Sequence, residues 1–254
     1  MQVDTQNIFC RVRQYVAGQL GCGTGILSQE GTFFVANERE EAPFIKLVAM
    51  GRSVVVSASP ELLPMVREWT QGKSRDEAFE LPLVFGQTIH FVPDGKAFGQ
   101  KPLPGGYTYE LLEGEGIKRL TGLAGFPNSL VFDQAGGTGT GMVFFAMRDG
   151  DVAGLAGAGQ EAEGLWEMGV DVRPAHRNNG LASALVSRLA GEILGKGGVP
   201  FYSASVTNLG SQSVAHRCGL MPCWVSTYSN ILREGYAYQG LLSLVCGKGA
   251  AGDA

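Results

Sequence analysis

The 254-residue chain is 44% hydrophobic and 17% charged, a globular balance with enough length to bury a sizeable core in one large or two modest domains. No run approaches the roughly 20 apolar residues of a membrane span, and a formal net charge of −4 gives no electrostatic footprint for nucleic acid or an anionic membrane. The five cysteines form no CxxC pair and His90, His176 and His216 lack metal-ligand spacing, so the expectation is reduced thiols, no metal, and no nucleic-acid or membrane partner.

The start, MQVDTQNIFCRVRQ, lacks the basic-then-apolar order of a secretory signal, which points to a cytoplasmic protein. Ile8, Phe9, Val12, Val16 and Leu20 recur at helical spacing and predict a helix over 7–20. The runs at 31–38 and 44–59 are β-branched and aromatic, and the second, broken by Gly51, reads as a hairpin. Ser59 is a candidate N-cap for a helix over 59–72, with Pro60 at its first position and Glu61 in its first turn. A strand over 81–92 leads into residues 93–106, PDGKAFGQKPLPGG, whose prolines and glycines mark a connection between folding units. The expected division is an N-terminal α+β domain, residues 1–98, and a second domain, residues 99–254.

Beyond the connection the pattern predicts a strand over 107–114, a helix over 115–123, and strands over 141–150 and 151–160 joined by a tight turn at Asp149-Gly150. A strand over 165–172, a helix over 179–197, a strand over 200–206, a helix over 211–219 and a strand over 223–229 complete the chain. The late strands, separated by helices, should pair in parallel.

Glycine is abundant, at 38 residues, against about 7% in average proteins. The clusters GCGTG at 21–25 and AGGTGTG at 135–141 are not set between a strand and a helix start, and no Lys-Ser or Lys-Thr pair follows them. They read as flexible loops rather than phosphate cradles. Residues 173–186, RPAHRNNGLASALV, are in the right context. Before them Trp166, Met168, Val170 and Val172 alternate with Glu167, Gly169 and Asp171; after them Leu181, Leu185, Leu189 and Ile193 repeat every fourth residue. The junction is therefore a strand, a turn and a helix N-terminus, whose first amides lack helical partners and favour an anion. Between Leu165 and Leu220, Arg173, Arg177, Arg188, Lys196 and Arg217 outnumber Glu167, Asp171 and Glu192, a local field that suits a pyrophosphate.

Arg177-Asn178-Asn179-Gly180-Leu181-Ala182 resembles the Gln/Arg-x-x-Gly-x-Gly/Ala pyrophosphate loop of the GNAT superfamily of acetyl-CoA-dependent N-acyltransferases, and Val170-Asp171-Val172-Arg173-Pro174 resembles its Val-x-Val-x-Pro lead-in. A second motif, Asn208-Leu209-Gly210-Ser211 running to Gly219-Leu220, is similar to the family's Asn-x-x-Ala/Ser helix, with leucine in place of phenylalanine. The resemblance covers about residues 106–230. It implies an α+β fold: a mixed, mostly antiparallel sheet with a splayed parallel pair of strands, flanked by helices, preceded here by the smaller N-terminal domain. It also implies acetyl-CoA as cosubstrate, with the pyrophosphate on the amides of Asn178 to Ala182, the pantetheine arm along the backbone of Val170, Asp171 and Val172, Asn208 on the pantetheine side, and Ser211 near the thioester.

The acceptor the family implies is a primary amine of a small molecule, attacking acetyl-CoA directly in a ternary complex. An ammonium has no lone pair, so a base is required, and Glu167 is the candidate, on the more polar face of its strand. Where one branch of the family carries a glutamate this chain has Ser203, and where many members carry the tyrosine that protonates the thiolate it has Ala215. His216 is a minor candidate acid, and Tyr202 and Tyr228 are substitutes. Asp171 reads as structural, and Cys218 and Cys223 as buried thiols. The N-terminal domain is expected to cover the acceptor cleft or to form a homodimer. The missing tyrosine motivates a rival reading, a catalytically weak acyl-CoA-binding sensor or interaction protein.

Overall fold

The computed structural model describes residues 4–38, 43–81, 84–96, 98–228 and 230–231. Cys246, and Pro82 and Leu83 of the strand expected over 81–92, lie outside the described residues. By contacts the chain forms two compact units: residues up to Val12 together with His90–Pro222, and Arg13–Ile89 together with the chain from Cys223 on. The division at residues 98 and 99 falls within the second segment of the first unit.

Helix α1, Thr5–Leu20, begins the chain and buries Ile8, Val12, Val16 and Leu20, the stripe that the spacing predicts. In the unit that follows, a 3-10 turn at Thr24–Ser28 leads to β1 (Gly31–Ala36), β2 (Phe44–Met50) and β3 (Ser53–Ala58). β2 and β3 are the expected hairpin, antiparallel with Met50 opposite Ser53, while β1 runs parallel to β3. Helix α2, Leu63–Thr70, and a short α3, Arg75–Ala78, cover this sheet. Their core includes Leu47, Val54, Val56, Leu62 and Val66.

Two details correct the sequence reading. Ser59 does not cap α2: its hydroxyl accepts the Phe44 amide at 2.8 Å, so it closes the strand pair, and α2 starts four residues later behind Leu62. The missed α3 carries a full capping box between Ser74 and Glu77. That hydrogen bonding holds the Glu77 carboxyl below its ordinary value, as a cap partner should be.

The other unit contains β4 from His90 on (Gln87–Pro93 in full), β5 (Thr108–Glu113), β6 (Thr140–Arg148), β7 (Asp151–Ala162), β8 (Leu165–Val172), helix α4 (Leu181–Gly195), β9 (Val199–Ser205) and helix α5 (Leu209–Arg217). Its sheet order is β4-β9-β8-β7-β6-β5. The β5, β6, β7 and β8 pairings are antiparallel, and the β6–β7 turn holds Asp149 and Gly150 at φ of 53° and 87°, the positive values that a two-residue hairpin turn needs. Residues 115–123 form no α-helix. Gly114–Leu120 is a 3-10 helix, and Ile117 and Leu120, three apart, suit that tighter period.

β8 and β9 pair in parallel only from Leu165↔Val199 to Met168↔Tyr202. β10, Leu220–Thr227, does not extend this pair: the other neighbour of β9 is β4. Residues Trp224–Ser226 of β10 lie antiparallel to β2, as does the two-residue β11, Asn230–Ile231. The expected parallel trio is thus a parallel pair, because a strand from earlier in the chain takes the third place. Helix α4 buries Leu181, Leu185, Leu189 and Ile193. Leu181 and Leu185 seat on Gly154 beside Val172, so the even-numbered residues of β8 face this helix. Among the described residues no helix is long and apolar enough to cross a membrane.

Candidate active site

The site is built where β8 and β9 part. Past Met168 the β8 main chain has no ladder partner on the β9 side, and two cavities open there. One, about 550 Å³, is lined by Val170, Asp171, Val172, Arg177 to Ser183, Asn208, Ser211 and Arg217, among others. The other, about 600 Å³, is lined by Asn128 to Val131, Glu161, Glu167, Tyr202, Ser203, Asn208 and Ser211, among others. They share Asn128, Val170, Asn208 and Ser211, so the two cavities adjoin at the splay.

The first cavity ends on the N-terminus of α4. Asn178 and Gly180 sit at φ of 63° and 85°, and the first helical bond runs from the Ala184 amide to the Gly180 carbonyl. The Leu181 amide is satisfied by Asn179 Oδ1 at 3.1 Å. The amides of Ala182 and Ser183 precede the first helical bond, and both residues line the cavity, the arrangement an anion would use. Apart from its own local backbone and chain neighbours, no heavy atom lies within 4 Å of where a Gly180 Cβ would stand. Arg177 is positioned by an Nε bond to the Val172 carbonyl at 2.9 Å. Tyr107, which the sequence did not flag, braces the loop, its hydroxyl meeting His176 Nδ1 at 3.0 Å and the Asn179 side-chain amide at 2.9 Å.

Asp171 lines this cavity, but its carboxylate is committed elsewhere. It accepts the Asn128 amide at 2.9 Å, the Asn128 side-chain amide at 2.6 Å and the Ser129 hydroxyl at 2.8 Å. This pins segment 128–129 across the sheet, over Gly157 and Gly169, which are cross-strand partners. A glycine inside a strand often marks such a close backbone approach, a signal present in the sequence and not used. Asn208 caps α5, its Oδ1 accepting the Ser211 amide at 3.0 Å, which turns Ser211 toward the junction of the two cavities. Tyr202 lies beside it: burial pushes its hydroxyl above the ordinary value, a hydrogen bond with Ser211 opposing this, and Cys218 and Asp171 adding to it.

Glu167 lines the second cavity with Glu161, whose place on β7 the sequence reading did not single out. No arginine, lysine or histidine lines that cavity among the described residues. Ser203 lines it too and meets His90 Nδ1 at 2.8 Å. His216 lines neither cavity. It is exposed, and its ring meets Phe91 edge-on at 5.5 Å. Cys218 and Cys223 are pushed up to about 12 by burial, and Cys218 donates to the Ser183 carbonyl; neither is a thiolate at neutral pH. The glycine cluster at 135–141 wraps on its own neighbour, with Asp133 accepting the Ala135 and Gly137 amides at 2.8 Å each. Those amides are therefore not open to a phosphate.

No curated protein gives a significant match. Among solved structures the chain is similar to a putative acetyltransferase of the GNAT family from Novosphingobium aromaticivorans, at 21% identity over 56% of this chain and 63% of that one, TM-score 0.44. It therefore spans less than two thirds of that protein. It is also similar to an N-acetyltransferase-like protein from Streptococcus suis, at 16% identity over 77% and 87%, TM-score 0.48. A third is a putative acetyltransferase from Salmonella typhimurium solved with its cofactor acetyl-CoA, at 24% identity over 38% and 67%, TM-score 0.31. Residues 119–220 match the acetyltransferase (GNAT) family model, and this segment holds the lining of both cavities.

Proposed function

We propose that the protein is an N-acetyltransferase that moves an acetyl group from acetyl-CoA to a primary amine of a small molecule, by direct attack in a ternary complex. The observation that carries this reading is the meeting of the two cavities at Asn128, Val170, Asn208 and Ser211, since a donor and an acceptor entering from opposite ends would meet there.

The first cavity fits coenzyme A. The early α4 amides and Arg177 would hold the pyrophosphate, with Asn178, Asn179, Gly180, Leu181 and Ala182 forming its seat. The free edge of β8 at Val170, Asp171 and Val172 would pair with the pantetheine arm as an added strand, with Asn208 across from it. When bound, acetyl-CoA supplies an acyl group activated as a thioester. The second cavity fits an amine, because its charged lining side chains among the described residues, Glu161 and Glu167, are both acidic and would attract an ammonium. Glu167 would take a proton from it. Ser211, with Tyr202 kept protonated beside it, would donate toward the departing sulfur.

The test is in two stages. Acetyl-CoA or CoA should raise the unfolding temperature while ATP and NAD do not, since a ligand that binds only the folded state stabilises it by mass action; no shift with either CoA species sinks the proposal. A library of primary amines should then release free thiol from acetyl-CoA, and Glu167→Gln should slow that release by about 10²-fold or more. Binding without thiol release would favour the acyl-CoA sensor that Ala215 suggests.

A further inference from the structure

Ser203 and His90 form a hydrogen-bonded pair on neighbouring strands β9 and β4, Oγ to Nδ1 at 2.8 Å. Glu167 is in register with Phe201, and Ser203 is two residues further along β9, so Glu167 and Ser203 stand on the same face of the sheet. Both line the second cavity. The His90 ring is tilted against Phe201 at 6.3 Å between centroids, and His90 is not among the residues lining the cavity. Three neighbouring strands thus carry Glu167, Ser203 and His90 in one row.

We propose that Ser203 and His90 are a second proton-transfer pair of the acceptor cavity, with Ser203 touching the amine and His90 acting through it. This rests on the N-acetyltransferase reading. The proton balance supplies the need. An ammonium nitrogen that ends as an amide sheds two protons: one before its lone pair can form the new C–N bond, and one after. As that bond forms the C–S bond breaks, and its electron pair leaves on sulfur. One proton ends on the sulfur and one in solvent. A single carboxylate holds one proton at a time, so a second acceptor lets both leave the nitrogen within one turnover. A serine hydroxyl is a poor base alone. It becomes competent when it accepts from the nitrogen while giving its own proton to an imidazole, and neutral His90 with its hydrogen on Nε2 offers Nδ1 for that purpose. A purely structural role, tying β4 to β9, needs only a hydrogen bond and no basic group.

The two roles separate experimentally. Acetyl-CoA and the most active amine of the library are used at saturation, with thiol release read continuously and the acetyl-CoA-induced thermal shift as the control for folding. Ser203→Ala and His90→Asn should each lower kcat by about 10² with the acetyl-CoA shift unchanged. Asparagine keeps a hydrogen-bonding atom near the Nδ1 position but carries no titratable proton. The double variant should be no slower than either single one, because the two residues act as a unit, and Ser203→Thr, which keeps the hydroxyl, should stay within about threefold of the native enzyme. Native kcat in His90→Asn, losses that multiply in the double variant, or equal losses in Ser203→Ala and Ser203→Thr each overturn the pair. If Ser203→Ala loses the thermal shift, His90→Asn and Ser203→Thr still decide. Turnover in the native enzyme that the variants leave intact defeats this inference alone, whereas acetyl-CoA binding with no thiol release for any amine defeats the N-acetyltransferase reading and this inference with it.

Discussion

Gly169 lies directly beneath Asn128: a Cβ added to Gly169 would stand 1.7 Å from the Asn128 carbonyl oxygen. The same holds for its cross-strand partner Gly157, 1.8 Å from the Ser129 carbonyl oxygen. Main-chain atoms cannot swing aside as a side-chain tip does. Gly169→Ala should therefore cost about 1–3 kcal/mol of stability, as overpacking does, and weaken the thermal shift with acetyl-CoA by displacing segment 128–129. Urea unfolding reads the first effect. An unchanged midpoint would show that the segment does not need its seat on the glycine pair.

Asp171 holds the same segment from the side, with three hydrogen bonds to Asn128 and Ser129. Bonds to a charged group are worth about 1.5–3 kcal/mol, so Asp171→Ala should lower stability by about that amount. Since its carboxylate is already engaged, the loss should appear in chemical unfolding of the ligand-free protein. A loss seen only in acetyl-CoA binding would contradict the structural role.

Arg177→Ala should weaken acetyl-CoA binding about tenfold or more, since a hydrogen bond to a charged group is worth about 1.5–3 kcal/mol and about 1.4 kcal/mol is tenfold in affinity. Its side chain lines the cavity at the α4 N-terminus and is exposed, so the contribution should shrink as salt rises. Calorimetric titration at two ionic strengths measures both effects. Equal affinities for the native and variant proteins at low salt would remove Arg177 from the anion seat.

The buried thiols predict a pH dependence. Burial raises Cys218 and Cys223 from the ordinary 9.0 to about 12, so the folded state disfavours the thiolate while the unfolded chain ionises freely. The sign follows: their contribution is fully present below pH 9 and is lost as pH climbs from about 9 towards 12, by at most about 1.4 kcal/mol per pH unit for each thiol. Unfolding free energy measured across that window should fall less steeply in Cys218→Ala/Cys223→Ala than in the native protein. Parallel slopes would show that other groups govern the alkaline loss.

The cavity at the α4 N-terminus follows a pattern legible along the chain, whereas in the second cavity the sequence marked Glu167, Tyr202 and Ser203 but not Glu161 or the 128–131 segment. Local periodicity marks β8 and α4, and the turn between them needs residues that tolerate positive φ; Asn178 and Gly180 take those values. The stripes Ile8, Val12, Val16, Leu20 and Leu181, Leu185, Leu189, Ile193 are buried as their spacing requires, while Phe9, predicted with the first, is only partly buried. Where a prediction rested on one polar residue it was less secure. Ser59 has the chemistry of an N-cap but its hydroxyl accepts the Phe44 amide instead.

The amino-acid sequence by itself determined the strand, turn and helix around Gly180 and the capped start of α5 at Asn208, since each depends on hydrogen bonds between near neighbours. Tertiary structure alone decided that segment 128–129 crosses Gly157 and Gly169, and that Glu161 joins Glu167 in one cavity. It also brought His90 to Ser203 across 113 residues. Such contacts are set by how strands order themselves in a sheet and where two of them part, and no local pattern along the chain encodes that distance.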